Sequence, residues 1–321
     1  MSPTMSASAF GHATRAQLPA SSTTPPRHRA GTRHHPLREF RAPITRRDAR
    51  PAYNRHMTRK LMWVFLIVFT LLTAYSTIVL YFDLGPLFNP LLTPLTTLVG
   101  FGFALLHARL RWNWRAALIL FVISFVVTLA FESIGVATGL IYGAYHYTSK
   151  LGPKFLGLVP YTIPAAWFMM MYPSLVIAER ISPQTPGWVR GLSVAAIGGL
   201  VMTAWDVVMD PMMVRGGHWT WETAGPYFGI PLQNYLGWWL TTFTVFFVNW
   251  LVTHRHNLPV HGQDDRLVVF VYALTGLSSV LIALHPSAMA QISGAGLAGF
   301  FAMAPWAIIG WIKTGYAQDT G

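Results

Sequence analysis

The chain contains no cysteine among its 321 residues. Disulfide bonds, thiolate nucleophiles and cysteine metal sites are therefore excluded. Charged residues are also scarce, at 11% of the chain, whereas hydrophobic residues make up 53% and the mean hydropathy is +0.42. This composition is typical of an integral membrane protein rather than of a soluble domain.

Several catalytic and cofactor motifs are missing as well. No two histidines have the H-x-x-x-H spacing of a membrane di-iron hydroxylase, and there is no P-loop and no G-x-S-x-G sequence. A retinal Schiff base has no mid-membrane partner, because the lysines all lie outside the apolar segments. Residues 294–299 match G-x-G-x-x-G, but they lie inside an apolar segment with no preceding strand, which indicates small-residue packing. We therefore predict no metal site and no cofactor.

The net charge of +12 is concentrated near the start of the chain, where residues 1–60 hold 12 of the 23 Lys and Arg. Because this charge is not spread over a soluble surface, nucleic acid is not an expected partner. Residues 1–58 have too little apolar material to fold, so we predict a disordered basic leader. A single transmembrane catalytic domain over 59–315 and a tail over 316–321 follow. Alternatively, residues 1–56 are an over-extended gene model, since Met57-Thr58-Arg59-Lys60 before an apolar helix is typical of a natural start.

Eight apolar segments approach the length of about 20 helical residues that a bilayer crossing needs. They cover residues 61–81, 89–107, 116–139, 160–178, 190–209, 234–253, 267–285 and 289–312. If all of them cross, 20 Lys and Arg lie on one side, and only Lys150, Lys154 and Arg215 lie on the other. The positive-inside rule then places both termini in the cytoplasm. We predict an all-α fold, a polytopic integral membrane helix bundle of about eight transmembrane helices, located in the cell membrane.

Three acidic residues stand out in the apolar segments. Asp206 and Asp210 are four residues apart, about one helical turn, so both face the same way. Glu132 ends another apolar run. In the predicted orientation, all three lie near the non-cytoplasmic ends of their helices. An ionisable group at bilayer depth costs roughly 2.5–3.5 kcal/mol on insertion scales, so we take these acids as candidate catalytic residues.

Pro211 is expected to end its helix and to leave Asp210 near the water boundary, with Asp206 one turn deeper. Two close carboxylates in a dry site repel each other, so we expect at least one of them to be protonated near neutral pH. Such a pair suits general acid–base chemistry. The alternative is structural, with the acids acting as caps or as hydrogen-bond partners between helices.

Aromatic and polar residues gather at the same end of the bundle as the acids. The candidate substrate-binding residues are Trp205, Tyr142, Tyr145, His146, Trp219, Trp221, Tyr227, Asn234 and Trp238. Aromatic faces stabilise a carbocation by about 2 kcal/mol when desolvated, although an interfacial belt explains some of them equally well. Gly135, Gly139 and Gly143 form a G-x-x-x-G-x-x-x-G row. Its usual meaning is close helix packing, but a bare face also admits a flat ligand, so Gly135 and Gly139 join the candidates.

Two regions of the sequence form a distinctive set. The first runs from Phe131-Glu132-Ser133-Ile134-Gly135-Val136-Ala137-Thr138-Gly139 through Tyr142-Gly143-Ala144-Tyr145-His146-Tyr147-Thr148 to Leu151-Gly152-Pro153, Pro160, Pro164 and Trp167. The second comprises Thr203-Ala204-Trp205-Asp206, Asp210-Pro211-Met212, Trp219, Trp221 and Gly229-Ile230-Pro231-Leu232-Gln233-Asn234-Tyr235-Leu236-Gly237-Trp238. Together they resemble the polytopic carotenoid biosynthesis proteins of the CruF type. The resemblance covers most of residues 60–312 and does not include the basic leader.

The resemblance implies a hydratase, of the hydro-lyase class, that adds water to the terminal 1′,2′ double bond of an acyclic carotenoid end group of the lycopene or γ-carotene type. An archaeal branch of the family hydrates a longer C50 carotenoid. Because the resemblance does not identify catalytic residues, their roles come from the physical interpretation alone. Asp206 is the expected proton donor, Asp210 assists it, and Glu132 orients or deprotonates the water. The expected partners are the carotenoid substrate, membrane lipid and other carotenoid biosynthesis enzymes.

Two other functions stay open on the sequence. The spacing of Asp206 and Asp210 resembles the Mg²⁺–diphosphate motif of membrane prenyltransferases. However, no second motif of this kind follows, and only Arg215, Lys150 and Lys154 are near enough to bind a diphosphate. The other alternative is a non-enzymatic carotenoid- or lipid-binding protein that uses the same pocket.

Overall fold

The computed structural model describes residues 46–82, 84–85, 91–254, 262, 264–286 and 289–315. This part of the chain contains the α-helices α1 (Arg46–Tyr81), α2 (Leu92–Arg111), α3 (Trp114–Thr138), α4 (Ile163–Ile181), α5 (Trp188–Arg215), α6 (Leu232–Thr253), α7 (Asp265–Ala283) and α8 (Ser293–Gly315). Its strands are β1 (Tyr145–Tyr147), β2 (Lys154–Phe155), β3 (Val159–Pro160) and β4 (Trp219–Trp221). β1 pairs antiparallel with β4, and β2 pairs antiparallel with β3. Each predicted apolar segment overlaps one helix.

The first helix begins inside the stretch that the sequence predicts to be disordered. α1 starts at Arg46, whereas the predicted leader extends to residue 58. Helix propagation adds one hydrogen bond for each residue that joins. The apolar helix therefore extends backwards into the basic segment, where Arg, Ala and Met are good helix formers. Residues 1–45 and the predicted tail at 316–321 lie outside the described residues.

Six of the described helices are long and apolar enough to cross a membrane, namely α1 from Asn54 onward, α3, α5, α6, α7 and α8. Helices α2 and α4 do not belong to this group. Every residue of α4 from Trp167 to Ala178 is buried against protein, so contact with lipid does not constrain its composition. The structure confirms a polytopic helical membrane protein. Eight spans and cytoplasmic termini stay predictions.

Helix α5, which carries two of the acids, packs against α4, α6, α7 and α8. Glycines allow the close approach of these helices. A Cβ atom at Gly198 would lie only 2.4 Å from the Phe246 ring of α6, and one at Gly299 of α8 would lie 2.4 Å from the Val208 Cβ. The contact at Gly299 agrees with the small-residue packing expected for residues 294–299. α5 is therefore held by the helices around it.

A buried ion cluster joins α2, α4 and α7 at the end of the bundle opposite the three acids. Asp265 accepts from Arg111 Nε at 3.1 Å, from Arg180 Nη2 at 2.7 Å and from the Gly262 amide at 3.2 Å. Arg111 also donates to Glu179 at 2.5 Å. Arg111, Arg180 and Asp265 are almost fully buried. The sequence suggests that Arg111 and Arg180 are solvated residues of short loops, but both side chains are buried inside the bundle.

We expect Asp265→Asn to destabilise the protein strongly. Removing one partner of a buried ion pair costs about 3–5 kcal/mol, because it leaves an uncompensated buried charge. Asp264→Asn is the matched control, because Asp264 pairs at 2.8 Å with Arg59 near the surface, where such a pair contributes about 0–1 kcal/mol. Thermal unfolding in detergent measures both variants. Equal midpoints for the two would contradict the role assigned to the cluster.

Candidate active site

A chamber lies where the C-terminal ends of α3 and α5 meet the N-terminal ends of α2, α4 and α6. Its volume is about 140 Å³. The predicted site residues that line it are Glu132, Tyr142, Tyr145, Trp205, Asp210, Trp219, Trp221, Asn234 and Trp238. Asp206 lies just behind this wall, fully buried. The structure therefore brings most of the predicted site residues into one place, which we call the acid chamber.

The two-stranded sheet of β1 and β4 covers the acid chamber. Tyr145 lies opposite Trp221 and Tyr147 lies opposite Trp219 in the antiparallel register. Side chains alternate between the two faces of a strand, so these four rings share one face and all line the chamber. Tyr145 and Trp221 have ring centroids 5.0 Å apart, and Tyr147 and Trp219 have centroids 5.7 Å apart. The residue between the tyrosines, His146, is exposed on the other face.

Glu132 is held by three neutral donors. The Tyr147 hydroxyl donates to its Oε2 at 2.8 Å, and the Tyr145 hydroxyl donates to the same oxygen. The Trp167 indole N–H donates to Oε1 at 2.9 Å. A carboxylate offers about four lone-pair sites, so Glu132 keeps the capacity for roughly one more hydrogen bond. Tyr147 and Trp167 are site residues that the sequence interpretation missed.

Burial raises the pKa values of Tyr145 and Tyr147 well above the ordinary tyrosine value, and the nearby Glu132 carboxylate raises them further. Both hydroxyls therefore keep their protons throughout the neutral and mildly alkaline range. Because a protonated phenol can donate, the two tyrosines stay hydrogen-bond donors to Glu132 under these conditions.

Asn234 joins the two aspartates. Its Nδ2 donates to Asp206 Oδ2 at 2.8 Å and to Asp210 Oδ2 at 2.7 Å. The Trp219 indole N–H donates to Asp210 Oδ1 at 2.6 Å. Among the described residues, Asp206 Oδ1 has no hydrogen-bond partner although it is buried. Asp206 and Asp210 thus form a bridged pair with one unoccupied oxygen, and Asp210 is the member that faces the chamber.

Pro211 does not end α5, which corrects the sequence expectation. The helix continues to Arg215, and Asp210 is 1% exposed rather than at a water boundary. A proline inside a helix lacks the N–H that would bond to the carbonyl four residues earlier, which here belongs to Val207. The Tyr227 hydroxyl donates to the Val207 oxygen at 3.0 Å and satisfies it instead. A side chain from the following loop therefore allows the helix to pass through Pro211.

Three tryptophans form the inner wall of the acid chamber. The rings of Trp167 and Trp238 are stacked, with centroids 4.0 Å apart, and Trp205 meets Trp238 edge-on at 6.0 Å. These side chains come from the start of α4, the start of α6 and the interior of α5. Together with the tyrosines of the cover, they give the chamber an electron-rich lining.

The glycine row does not form a continuous helix face. Only Gly135 lies within α3, because Gly139 ends the helix in the left-handed conformation (φ +70°) and Gly143 follows in the loop (φ +100°). A Cβ atom at Gly135 would lie 2.6 Å from the Tyr142 ring. The Tyr142 hydroxyl forms a 2.8 Å hydrogen bond with Thr241 of α6, so the ring fills the space between α3 and α6. The predicted bare glycine face for a ligand does not match these positions.

Four predicted substrate-binding residues lie away from the chamber lining. Gly135 and Gly139 contact Tyr142 and Ala144 instead. His146 lies on the exposed face of the β1–β4 sheet, and the Tyr227 hydroxyl is used at Val207. The sequence does hold a signal for the missed Tyr147, because the pattern Tyr145-His146-Tyr147 places both tyrosines on one face of a strand. Trp167 carries no comparable signal.

Comparison with known proteins identifies the group to which the chain belongs. The family model described as "Carotenoid biosynthesis protein" matches residues 92–315. This chain belongs to the carotenoid biosynthesis protein family. The bisanhydrobacterioruberin hydratase of Haloarcula japonica is 30% identical to it over 268 residues, which cover 79% of this chain and 88% of that protein. No solved structure matches the chain.

The family match covers the whole acid chamber of this carotenoid biosynthesis protein. The acid chamber is built from residues between Thr93 and Trp238, all of which lie inside the matched range of 92–315. The cover, the aspartate pair and Asn234 therefore belong to the part of the chain that matches the family model, whereas α1 precedes it.

We expect the tyrosine that supports Pro211 to make this carotenoid biosynthesis protein less stable at alkaline pH. Burial, and secondarily Asp206, raises the pKa of Tyr227 from 10.0 to about 12. Below pH 10 the folded and unfolded states both keep the proton. Between pH 10 and 12 only the unfolded state loses it, so the free energy of unfolding falls as the pH rises through this window.

We therefore expect Tyr227→Phe to make stability less dependent on pH between pH 10 and 12, and to lower stability at pH 7 by about 1 kcal/mol through the lost hydrogen bond. Thermal midpoints in detergent at pH 7, 9, 10, 11 and 12 measure both effects. The exposed Tyr161, on the same side of the bundle, provides the control Tyr161→Phe. Parallel pH curves for wild type and Tyr227→Phe would contradict the assignment.

Proposed function

We propose that this protein is a carotenoid hydratase that adds water to the terminal 1′,2′ double bond of an acyclic carotenoid end group. The observation that carries the proposal is the joining of three buried acids at one aromatic chamber. Glu132 and Asp210 line that chamber, and Asn234 links Asp206 to Asp210 behind its wall. The hydratase name of the Haloarcula japonica relative supports the same reaction class.

The reaction begins with protonation of the alkene. The Asp206–Asp210 pair supplies the proton to C2′, the C2′–H bond forms from the alkene π electrons, and a tertiary cation is left at C1′. General acid catalysis of this kind contributes roughly 10²–10⁴-fold to a rate. Asp210 faces the chamber, and Asp206 Oδ1 is the carboxylate oxygen of the pair that no described donor occupies. The pair is therefore suited to hold a proton and to pass it forward.

The tertiary cation is stabilised by the lining of the acid chamber. Cation–π attraction to a desolvated ring contributes about 2 kcal/mol, and the stacked Trp167 and Trp238 present their faces at the inner wall. The three acids add negative charge or oriented dipoles in a site that is largely shielded from water, where electrostatic effects are stronger than in bulk solvent.

Water then adds to C1′ and loses one proton, which completes the addition of H₂O. Three donors fix Glu132 in position, and its remaining lone-pair site orients the attacking water. The proton released from this water passes to Glu132 and returns to the aspartate pair through solvent exchange. No electron is transferred. Over the full cycle the π bond and one O–H bond of water are broken, and the O–H bond of the aspartate pair that breaks in the first step forms again when the proton returns. The proposed step therefore balances without a redox partner.

The bridge at Asn234 favours hydration over prenyl transfer. A Mg²⁺–diphosphate site would place a cation between the two aspartates, but the amide nitrogen of Asn234 occupies that bridging position. The two lysines nearby donate to backbone carbonyls, Lys150 to Gly216 at 2.6 Å and Lys154 to Tyr147. Their side chains brace the cover and the end of α5.

The deciding experiment is the pigment profile of a lycopene-producing host with and without this gene. We expect a monohydroxylated or dihydroxylated carotenoid, and in deuterated water one deuterium for each hydration. Prenylated pigment would support the transferase instead, and unchanged pigment from protein present in the membrane would support a carrier.

Asp206→Asn and Asp210→Asn should each lower hydration by roughly 10²-fold or more, because each removes the acid from the pair. Both proteins should remain in the membrane, since an amide has nearly the volume of a carboxyl group. Glu222→Gln is the matched control, because Glu222 lies on the same side of the bundle and is exposed. Hydroxylated pigment at wild-type levels from Asp206→Asn would remove Asp206 from the mechanism.

Asn234 acts as a positioning residue for the pair. Asn234→Leu keeps the branched shape of the side chain at a larger volume but removes both hydrogen bonds, and a hydrogen bond to a charged group contributes about 1.5–3 kcal/mol. We expect kcat to fall roughly 10- to 100-fold with KM nearly unchanged, because substrate contacts lie elsewhere in the chamber. Steady-state kinetics in proteoliposomes separate the two parameters. A rise in KM at constant kcat would instead make Asn234 a substrate-binding residue.

A further inference from the structure

A second cavity lies beside the acid chamber. It has a volume of about 330 Å³ and runs between α1, α2, α5 and α7. The two cavities share the lining residues Thr93, Thr97, Met169, Trp205, Met209 and Met213. They are therefore separated by a single layer of side chains. None of the residues discussed for the reaction other than Trp205 lines this second space, which we call the side cavity.

The acid chamber is too small for the whole substrate. Its volume of about 140 Å³ holds roughly five to ten groups of water size, whereas an acyclic carotenoid has about 40 carbon atoms. Only the end group fits beside the acids. The rest of the chain has to leave the chamber through one of its walls, and the polyene is about as long as the ~30 Å hydrocarbon core of a bilayer.

The side cavity leads from the wall of the acid chamber to the surface of the bundle. It extends along α1 from Phe69 to Leu80, which is about 16 Å at 1.5 Å per residue. It also reaches the surface of the bundle, because Tyr75 is 58% exposed and Leu84 is 70% exposed. That surface belongs to α1, a helix apolar enough to cross the membrane. A chain in the side cavity would therefore connect the acid chamber with lipid.

The layer between the two cavities contains flexible side chains. Three of its six shared residues are methionines, Met169 from α4 and Met209 and Met213 from α5. Methionine is unbranched and flexible and adapts to irregular shapes at low cost. Rotation of these thioethers would open a passage without displacing a helix. Across the side cavity, α1 and α7 are held together by the 2.6 Å hydrogen bond between Thr77 and Ser278.

We propose that the side cavity binds the polyene chain of the substrate while its end group lies in the acid chamber, and that Met169, Met209 and Met213 form the passage between them. This inference rests on the proposed hydration and adds the site that holds the non-reacting part of the substrate. Binding energy from this remote part raises the rate at the reacting end, so its loss lowers turnover of long substrates specifically.

The test fills the side cavity without touching the acids. Ser76→Phe on α1 and Thr275→Phe on α7 each place a ring in it, and Ile78→Phe places the same ring on an exposed α1 position outside it. With an acyclic C40 carotenoid, both filling variants should lose at least about tenfold in kcat/KM, whereas Ile78→Phe should match wild type. With a short acyclic isoprenoid hydrocarbon that carries the same terminal double bond, the filling variants should match wild type as well.

Pigment retention provides the second measurement. Each variant is purified in detergent from a lycopene-producing host, and bound carotenoid is measured per protein from the visible spectrum. Ser76→Phe and Thr275→Phe should retain several-fold less pigment than wild type and Ile78→Phe, whereas Asp206→Asn should retain as much as wild type. Equal retention in all variants, or equal loss of turnover on long and short substrates, would overturn the proposal.

The two measurements separate this inference from the proposed reaction. If wild type yields no hydroxylated carotenoid, the hydratase proposal fails, while pigment retention still shows whether the side cavity holds the chain. If wild type hydrates the carotenoid but the filled variants retain both turnover and pigment, the reaction stands and the side cavity has no role in binding.

Discussion

The donors around the buried acids are the constraint on which the functional end of the bundle depends. A carboxyl group in an apolar interior is costly unless hydrogen bonds compensate its burial. Glu132 therefore requires Tyr145, Tyr147 and Trp167, and the aspartate pair requires Asn234 and Trp219. The donors of Glu132 come from β1 and α4, and those of the pair come from β4 and α6. Satisfying the acids thus fixes how the cover and four helices meet.

The buried acids have different kinds of partner at the two ends of the bundle. At the end opposite the chamber, Asp265 is matched by the cations Arg111 and Arg180, which neutralise it. At the acid chamber the described donors to Glu132 and the aspartates are neutral indoles, phenols and one amide. Neutral donors stabilise a carboxyl group without supplying a permanent counter-charge. A carboxyl group among neutral donors is therefore suited to proton transfer in the proposed reaction, whereas one between two arginines serves to join helices.

Much of the architecture follows from the sequence, because apolar segments of spanning length and a biased distribution of cations are local signals. The convergence of the acids also follows, since the predicted orientation puts Glu132, Asp206 and Asp210 at one end of the bundle. The hydrogen-bond pattern does not follow. Trp167 is distant in sequence from the acid to which it donates, and only tertiary packing shows that contact. The helix end predicted at Pro211 was wrong, because the sequence does not show that the Tyr227 hydroxyl donates to the Val207 carbonyl, which the proline leaves without its helical partner.

In the proposed reaction, water and the carotenoid reach the acid chamber through different walls. The β1–β4 cover carries exposed polar residues such as His146 on its outer face and aromatic rings on its inner face, so water meets the chamber at the end of the bundle. The methionine layer lies to the side, between the chamber and a cavity that reaches the lipid-facing helix α1. A long apolar chain that enters from the side cannot follow the route of the water. In the proposed reaction, separate routes would keep water from the aromatic wall until the end group is in place, and a dry wall favours proton transfer to carbon over loss of the proton to solvent.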